Sequence, residues 1–158
     1  MSADRRIYVD KQSPSVYKAM LAAAAELHQR TADVGLERST LELVNVRVSQ
    51  INRCAFCLDR HSRLAERAGV TPQRLAVLAA WREVDLFTDE ERAALEIAEA
   101  VTLVADRHVS DEEYARFREH LSDDAVSLLI WAATTINAFN RVSIMSRHRV
   151  AERDPAEA

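Results

Sequence analysis

The sequence predicts an all-α fold, and three observations lead to this prediction. Glycine and proline are scarce, with two glycines and three prolines in a chain of 158 residues. No segment of convincing length alternates apolar and polar residues as a half-buried strand would, whereas signals for helix starts recur along the chain. With 48% hydrophobic and 29% charged residues, the composition suits a single domain over residues 1–158 with a substantial core. The start signals correspond to about six to seven helices.

The first two helices are predicted from a proline, a glycine and a capping box. Pro14 suits the first position of a helix that Gly35 would end, because a residue at that position has no intrahelical use for its N–H group. The second helix is predicted to start with the capping box that runs from Ser39 to Glu42, and to end near Ser49. In this pattern Glu42 is first of all a capping residue.

The third helix carries both cysteines of the chain. Asn52 is its predicted N-cap and Gly69 its predicted end, so Cys54 and Cys57 would lie at its N-terminal end. Further helix starts are predicted at Thr71-Pro72, for a helix that runs to about Trp81, and at the capping boxes that begin with Thr88 and Ser110.

The last helix is predicted to be the longest, from about Asp123 to His148. Its middle, from Leu128 to Ala133, is apolar on all sides, so a single buried stripe would not satisfy it. The sequence therefore predicts a long apolar C-terminal helix that is central to the core, to a subunit interface or to both.

The charge pattern and the apolar runs exclude several classes of protein. The net charge is −4 and the arginines are scattered among acidic residues, which argues against a nucleic-acid surface. The run from Leu128 to Ile136 is too short to span a bilayer, and no secretory signal pattern opens the chain. These features favour a cytoplasmic protein that binds neither nucleic acid nor membrane.

Cys54, Cys57 and His61 form the chemically most informative cluster. On a helix they stand at i, i+3 and i+7 and project from one face. A structural disulfide is a poor explanation, because closing a ring of about four residues stabilises by only roughly 2 kcal/mol. Two inert buried cysteines at this spacing, with a histidine on the same face, would be a coincidence. The cluster therefore fits dithiol redox chemistry or a zinc site with Glu42 as fourth ligand.

Glu42 reaches this cluster only if the second helix folds back on the third. The break near Gln50 to Asn52 permits such a turn, but the spacing alone does not require it. The remaining histidines and two asparagines of the last helix have simpler interpretations as surface, helix-end or hydrogen-bonding residues: His28, His108, His120, His148, Asn137 and Asn140.

Glu42, Cys54-Ala55-Phe56-Cys57 and His61 together resemble the signature of the alkylhydroperoxidase D-like (AhpD-like) proteins of the carboxymuconolactone decarboxylase superfamily. The resemblance extends over about residues 15–148 and includes the segments 51–61, 78–83, 87–95 and 136–141. It implies an all-α domain that forms homo-oligomers, often trimers or hexamers, with the cysteine pair at a helix start.

The resemblance also implies a role for each residue of the cluster. Cys57 would be the thiol that a hydroperoxide oxidises to sulfenic acid, and Cys54 the proton donor and resolving thiol. Glu42 and His61 would form a proton relay. The helix dipole alone would favour Cys54 as the thiolate, so the resemblance reverses the order of the two thiols. The resemblance implies no cofactor or metal. It does imply an external dithiol reductant, either a lipoyl-bearing or a thioredoxin-like protein.

Phe56 departs from the family pattern, because the characterised peroxidase has a histidine at this position. The resemblance therefore implies dithiol chemistry more firmly than fast peroxidase turnover. The leading hypothesis is a dithiol peroxidase that reduces organic hydroperoxides in antioxidant defence. The alternatives are a zinc-binding module and a non-peroxidatic family member, either a stress-linked interaction protein or an enzyme for another small substrate.

Overall fold

The structure, a computed structural model, describes residues 6–153 and confirms the all-α prediction. In this range it has eight α-helices, more than the prediction of about six to seven. They are α1 (Val9–Gln12), α2 (Pro14–Asp33), α3 (Arg38–Ile51), α4 (Ala55–Arg67), α5 (Pro72–Val77), α6 (Asp89–Thr102), α7 (Asp111–His120) and α8 (Asp123–Ser146). A 3₁₀-helix, Leu78–Glu83, joins α5 to α6.

One local feature accounts for the additional α-helix, and a second one divides a predicted helix. The four-residue α1 carries no start signal in the sequence. The helix predicted from Thr71 to about Trp81 divides into α5 and the 3₁₀-helix, in which Ala80 has the non-helical angles φ −116° and ψ 29°. Short helices of this kind depend on tertiary packing more than on local propensity.

Three of the predicted caps are confirmed, and two are wrong. The side chains of Thr71, Thr88 and Ser110 each accept the N–H of the residue three positions on. Ser39 caps nothing, because α3 already begins at Arg38 after the extended residue Glu37. Asn52 ends α3 instead of starting α4, and Cys54 is the N-cap of α4. The cysteine pair thus lies at the N-terminal end of a helix, as predicted.

The helix α3 is the centre of the molecule, because it packs against α4, α6 and α8. Its residues Val44 and Val48 join a core cluster with Ile97 of α6 and Leu129 and Ala133 of α8. On another side of the helix, Leu43 and Val46 join a second cluster with Ala65, Leu78, Trp81 and Leu95. A helix buried on several sides has little freedom to shift, so it holds its polar residues in fixed positions.

The final helix α8 is the longest at 24 residues, as predicted. The prediction that it is apolar is wrong, because polar side chains occupy much of its length. Leu129, Ala132 and Ala133 are buried, whereas Trp131 is 61% exposed. The second half of the helix buries polar side chains: Asn137, Asn140, Ser143 and Ser146. Among the described residues, no helix is long and apolar enough to cross a membrane.

Candidate active site

The turn between α3 and α4 brings Glu42 to the cysteine-bearing helix. Asn52 ends α3, Arg53 adopts a left-handed conformation with φ 55°, and the Cys54 N–H donates to the Ser49 carbonyl at 3.0 Å. The direction of the chain reverses within these residues, and α4 packs along α3. The fold-back that the sequence permitted is therefore present.

The buried Glu42 carboxylate lies against His61. Its Oε2 is 2.7 Å from His61 Nδ1 and accepts a hydrogen bond from Asn45 at 3.3 Å, while Oε1 is 2.5 Å from Arg38 Nη2. Burial by itself raises the pKa of Glu42, but the hydrogen bond and charge of His61, together with Arg38, lower it below its usual value. The ionised carboxylate fixes the proton of His61 on Nδ1 and leaves Nε2 for proton transfer. Glu42 is thus a partner of His61 and not a helix cap.

The two thiols are free, buried and hydrogen-bonded to each other. The hydrogen bond from Cys54 lowers the pKa of Cys57 to about 6, against the effect of burial, and Ser143, Asn140 and the charge of His61 lower it further. The same hydrogen bond and burial raise the pKa of Cys54. At neutral pH, Cys57 is therefore the thiolate of the pair and Cys54 keeps its proton.

A cavity of about 430 Å³ opens beside Cys57. Most of its wall is apolar and comes from α2, α3, α4 and α8, and the polar side chains on it include His61, His28, Arg38 and Arg60. Cys57, Phe56 and Ser143 line the cavity, whereas Cys54 does not. A small organic molecule in this cavity would meet the Cys57 sulfur first.

Sequence reasoning missed a second histidine and carboxylate pair beside the thiols. His148 Nδ1 is 3.3 Å from Ser143 Oγ, which lies 3.7 Å from Cys57 Sγ, and His148 Nε2 is 3.0 Å from Asp10 Oδ1. His148 has the features of an ordinary helix-end residue in the sequence, and Asp10 is 138 positions away along the chain. No local pattern could have connected them.

Three asparagines connect the end of α3 to α8 beside the thiols. The Asn52 amide donates to Asn137 Oδ1 at 2.8 Å and to Asn140 Oδ1 at 2.9 Å, and Asn140 donates to Ser49 Oγ at 3.1 Å. Asn137 and Asn140 thus satisfy buried polar groups, in agreement with the sequence interpretation, and Asn140 also helps to lower the pKa of Cys57.

The arrangement offers little to a metal ion. Among residues 6–153, no group of three or more histidine, cysteine, aspartate and glutamate side chains is placed to hold one. Glu42 is occupied by Arg38, Asn45 and His61, and the two sulfurs hydrogen-bond to each other. This geometry disfavours the zinc alternative.

The sequence of this chain is similar to one protein family and to two bacterial proteins. The sequence model of the carboxymuconolactone decarboxylase family matches residues 14–100, which include Glu42, both cysteines and His61. The uncharacterized protein YdfG of Bacillus subtilis is 38% identical over 149 residues, covering 94% of this chain and 99% of YdfG. The uncharacterized protein YnjA of Escherichia coli is 43% identical over 88 residues, covering 55% of this chain and 47% of YnjA.

A solved structure is similar over almost the whole length. It is the crystal structure of a protein of unknown function from Agrobacterium tumefaciens, provisionally assigned as the antioxidant defence protein AhpD. The TM-score is 0.83 at 32% sequence identity, with 95% of this chain and 100% of that chain covered.

Proposed function

This chain belongs to the carboxymuconolactone decarboxylase family and is AhpD-like, and we propose that it is a dithiol peroxidase for organic hydroperoxides, with an antioxidant role. The observation that carries the proposal is the pairing of a low-pKa Cys57 and a protonated Cys54 at the wall of a largely apolar cavity. A dithiol peroxidase needs both a nucleophilic thiolate and a second thiol within reach of it.

In the first step, the Cys57 thiolate attacks the terminal oxygen of the hydroperoxide. The S–O bond forms as the O–O bond breaks, which yields the Cys57 sulfenic acid and an alkoxide. His61, which lines the cavity and pairs through Nδ1 with Glu42, enters this step as an imidazolium. Its Nε2 proton converts the alkoxide to the alcohol, and a neutral imidazole remains. General acid catalysis of this kind contributes about 10²–10⁴-fold, more than a lowered thiol pKa can contribute alone.

In the second step, the Cys54 sulfur attacks the Cys57 sulfenic acid. The S–S bond forms, and the hydroxyl leaves as water with the proton that Cys54 gives up. An external dithiol, supplied by a lipoyl-bearing or thioredoxin-like protein, then reduces the disulfide and is itself oxidised. The cycle suits a reducing compartment such as the cytoplasm. We also propose a homo-oligomer, trimer or hexamer, as the family resemblance implies.

The cavity favours organic hydroperoxides over hydrogen peroxide. Its wall carries Leu27, Leu41, Leu64, Ile136 and Phe139, so an alkyl or aryl group gains apolar contacts that hydrogen peroxide lacks. We therefore expect cumene and tert-butyl hydroperoxide to oxidise the reduced protein faster than hydrogen peroxide does.

The test is rapid mixing of the reduced full-length protein with each peroxide, followed by mapping of the Cys54–Cys57 disulfide. We expect Cys57→Ser to abolish peroxide consumption in the presence of dithiol. We expect Cys54→Ser to accumulate a sulfenic acid on Cys57 that a dimedone probe labels. If Cys57→Ser consumes cumene hydroperoxide as fast as the wild type, the proposal is wrong.

One outcome would favour the non-peroxidatic alternative. Phe56 stands between the thiols and lines the cavity, so the position next to Cys57 offers no acid or base. A thiol pair that exchanges with disulfide reagents but resists oxidation by every hydroperoxide would indicate thiol-disulfide exchange or another small substrate.

A further inference from the structure

A continuous chain of side chains leads from Cys57 to the N-terminal segment. The Cys57 thiol donates to Ser143 Oγ at 3.7 Å, Ser143 Oγ lies 3.3 Å from His148 Nδ1, and His148 Nε2 lies 3.0 Å from Asp10 Oδ1. Cys57, Ser143 and Asp10 are buried, and His148 is half-buried. Asp10, Ser143 and His148 all lie outside the residues 14–100 that the family model matches.

We propose that Ser143 and His148, the latter held by Asp10, form a proton relay that removes the proton of the Cys57 thiol and so generates the nucleophilic thiolate. This inference rests on the proposed dithiol function and adds a second relay to the Glu42 and His61 pair.

The hydrogen-bond directions are consistent with one proton shift along the chain. Burial raises the pKa of Asp10, but its hydrogen bond to His148 and the charges of His148 and Lys11 give a net lowering, so Asp10 is an ionised acceptor. His148 Nε2 therefore carries the proton that it donates to Asp10, and neutral Nδ1 is free to accept from the Ser143 hydroxyl. Ser143 Oγ in turn accepts from the Cys57 thiol.

The shift conserves every proton. The thiol proton moves to Ser143 Oγ while the Ser143 proton moves to His148 Nδ1, and no heavy atom has to change place. The products are the Cys57 thiolate, a neutral Ser143 hydroxyl that donates to it, and an imidazolium at His148. Asp10 stabilises the imidazolium, as a buried carboxylate does in other relays of serine, histidine and aspartate.

The backbone holds His148 in this position. Arg147 takes a left-handed conformation with φ 51° at the end of α8, and the His148 N–H bonds back to the Ser143 carbonyl at 3.0 Å. The imidazole stacks on Tyr8, with ring centroids 5.5 Å apart, and meets Phe56 edge-on at 5.2 Å. These contacts fix the ring on both sides, as a relay residue requires.

The two histidines relate to Cys57 in different ways. His61 lines the cavity, which suits protonation of the leaving alkoxide, whereas His148 reaches Cys57 only through Ser143. The titratable and charged groups around the relay are Asp10, Lys11 and Tyr8 from the N-terminal segment and Cys54, Cys57 and His61 from α4. Lys11 is exposed and contributes little.

The test measures ionisation of Cys57 without any peroxide. In full-length protein that carries Cys54→Ser, the rate of alkylation by iodoacetamide is followed against pH, and its midpoint reports the Cys57 thiolate. We expect His148→Asn, which keeps an acceptor near Ser143 but takes no proton, to raise the midpoint by about one pH unit. That shift corresponds to roughly tenfold slower alkylation below the wild-type midpoint.

Matched variants separate the relay from a structural effect. Ser143→Ala should raise the midpoint in the same direction, and Ser143→Thr, which keeps the hydroxyl, should restore it. His120→Asn, at the exposed end of α7, should leave it unchanged. If His148→Asn fails to fold by circular dichroism, Asp10→Asn decides the matter, because it removes the carboxylate that holds His148, leaves the direct contact of Ser143 with Cys57 in place and should raise the midpoint.

A wild-type midpoint in folded His148→Asn, or in Ser143→Ala, would overturn the relay. Because alkylation needs no hydroperoxide, this failure is distinct from failure of the proposed peroxidase. If these substitutions raise the midpoint but the protein does not react with any peroxide, the relay is supported and the proposed peroxidase activity is wrong.

Discussion

Glu42 is the residue whose role depends most on the structure. The capping-box pattern from Ser39 assigns it to a helix start, yet its side chain is fully buried and pairs with His61 and Arg38. A buried carboxylate has to be matched by charges or hydrogen bonds, because leaving one unpaired costs several kcal/mol. Glu42 is therefore important to stability as well as to the proposed chemistry.

Replacement of Glu42 by glutamine should destabilise the fold by roughly 2 kcal/mol at pH 7, since the charge-assisted hydrogen bonds become neutral ones. The folded-state pKa of Glu42 is lowered, so its contribution is complete above the ordinary carboxyl range and is lost as the pH falls below that range. The difference in the free energy of unfolding between the variant and the wild type, measured by urea denaturation, should therefore become smaller at acidic pH.

The control for this experiment is Glu26→Gln. Glu26 is exposed on α2 and forms only a surface pair with Arg30 at 3.9 Å. We expect it to change the free energy of unfolding by less than about 0.5 kcal/mol. Equal effects of the two substitutions at pH 7 would contradict the role assigned to the buried Glu42.

At the scale of elements, the sequence predicts helix starts well where the cap is purely local. Thr88 and Ser110 form capping boxes in which the side chain of the glutamate three residues on returns to the N–H of the cap residue, even though Glu91 is buried. At Ser39 the same pattern fails, because α3 begins earlier and the core draws Glu42 inward. A capping box therefore fails where the helix starts earlier and the glutamate takes tertiary partners, which for Glu42 are His61 and Arg38.

Alanine substitutions at Thr88 and Ser39 test this difference. Thr88→Ala removes a side-chain acceptor of the α6 start and should destabilise the protein by about 1 kcal/mol. Ser39→Ala removes no cap hydrogen bond and should leave the free energy of unfolding within about 0.5 kcal/mol of wild type. Chemical denaturation of both variants checks this, and a larger effect at Ser39 than at Thr88 would contradict the assignment.

At the scale of the whole molecule, the two ends of the described chain meet beside the thiols. The Val9 N–H donates to Ser146 Oγ at 3.0 Å, Asp10 pairs with His148, and α1 packs against α2 and α8. The thiol pair near the middle of the sequence is therefore bounded by segments from both ends.

Removal of residues 1–12 should destabilise the protein by about 1–3 kcal/mol, because it takes away α1 and leaves His148 without its carboxylate. Removal of residues 1–5 keeps α1 and Asp10 and serves as the control. Urea unfolding at pH 7 compares the two truncations. Equal stability of the 1–12 truncation and the full chain would show that α1 contributes nothing to the fold.

The sequence by itself determined the helical class, most helix starts and the common face of Cys54, Cys57 and His61. These features depend on contacts within a few residues, so a local pattern contains them. The family resemblance implied the relay of Glu42 and His61 and the order of the two thiols, but only the tertiary structure supplied the contacts behind them. It alone placed Asp10 and His148 beside the site. A pKa is set by burial and by partners, and here the partners come from helices far apart in the chain.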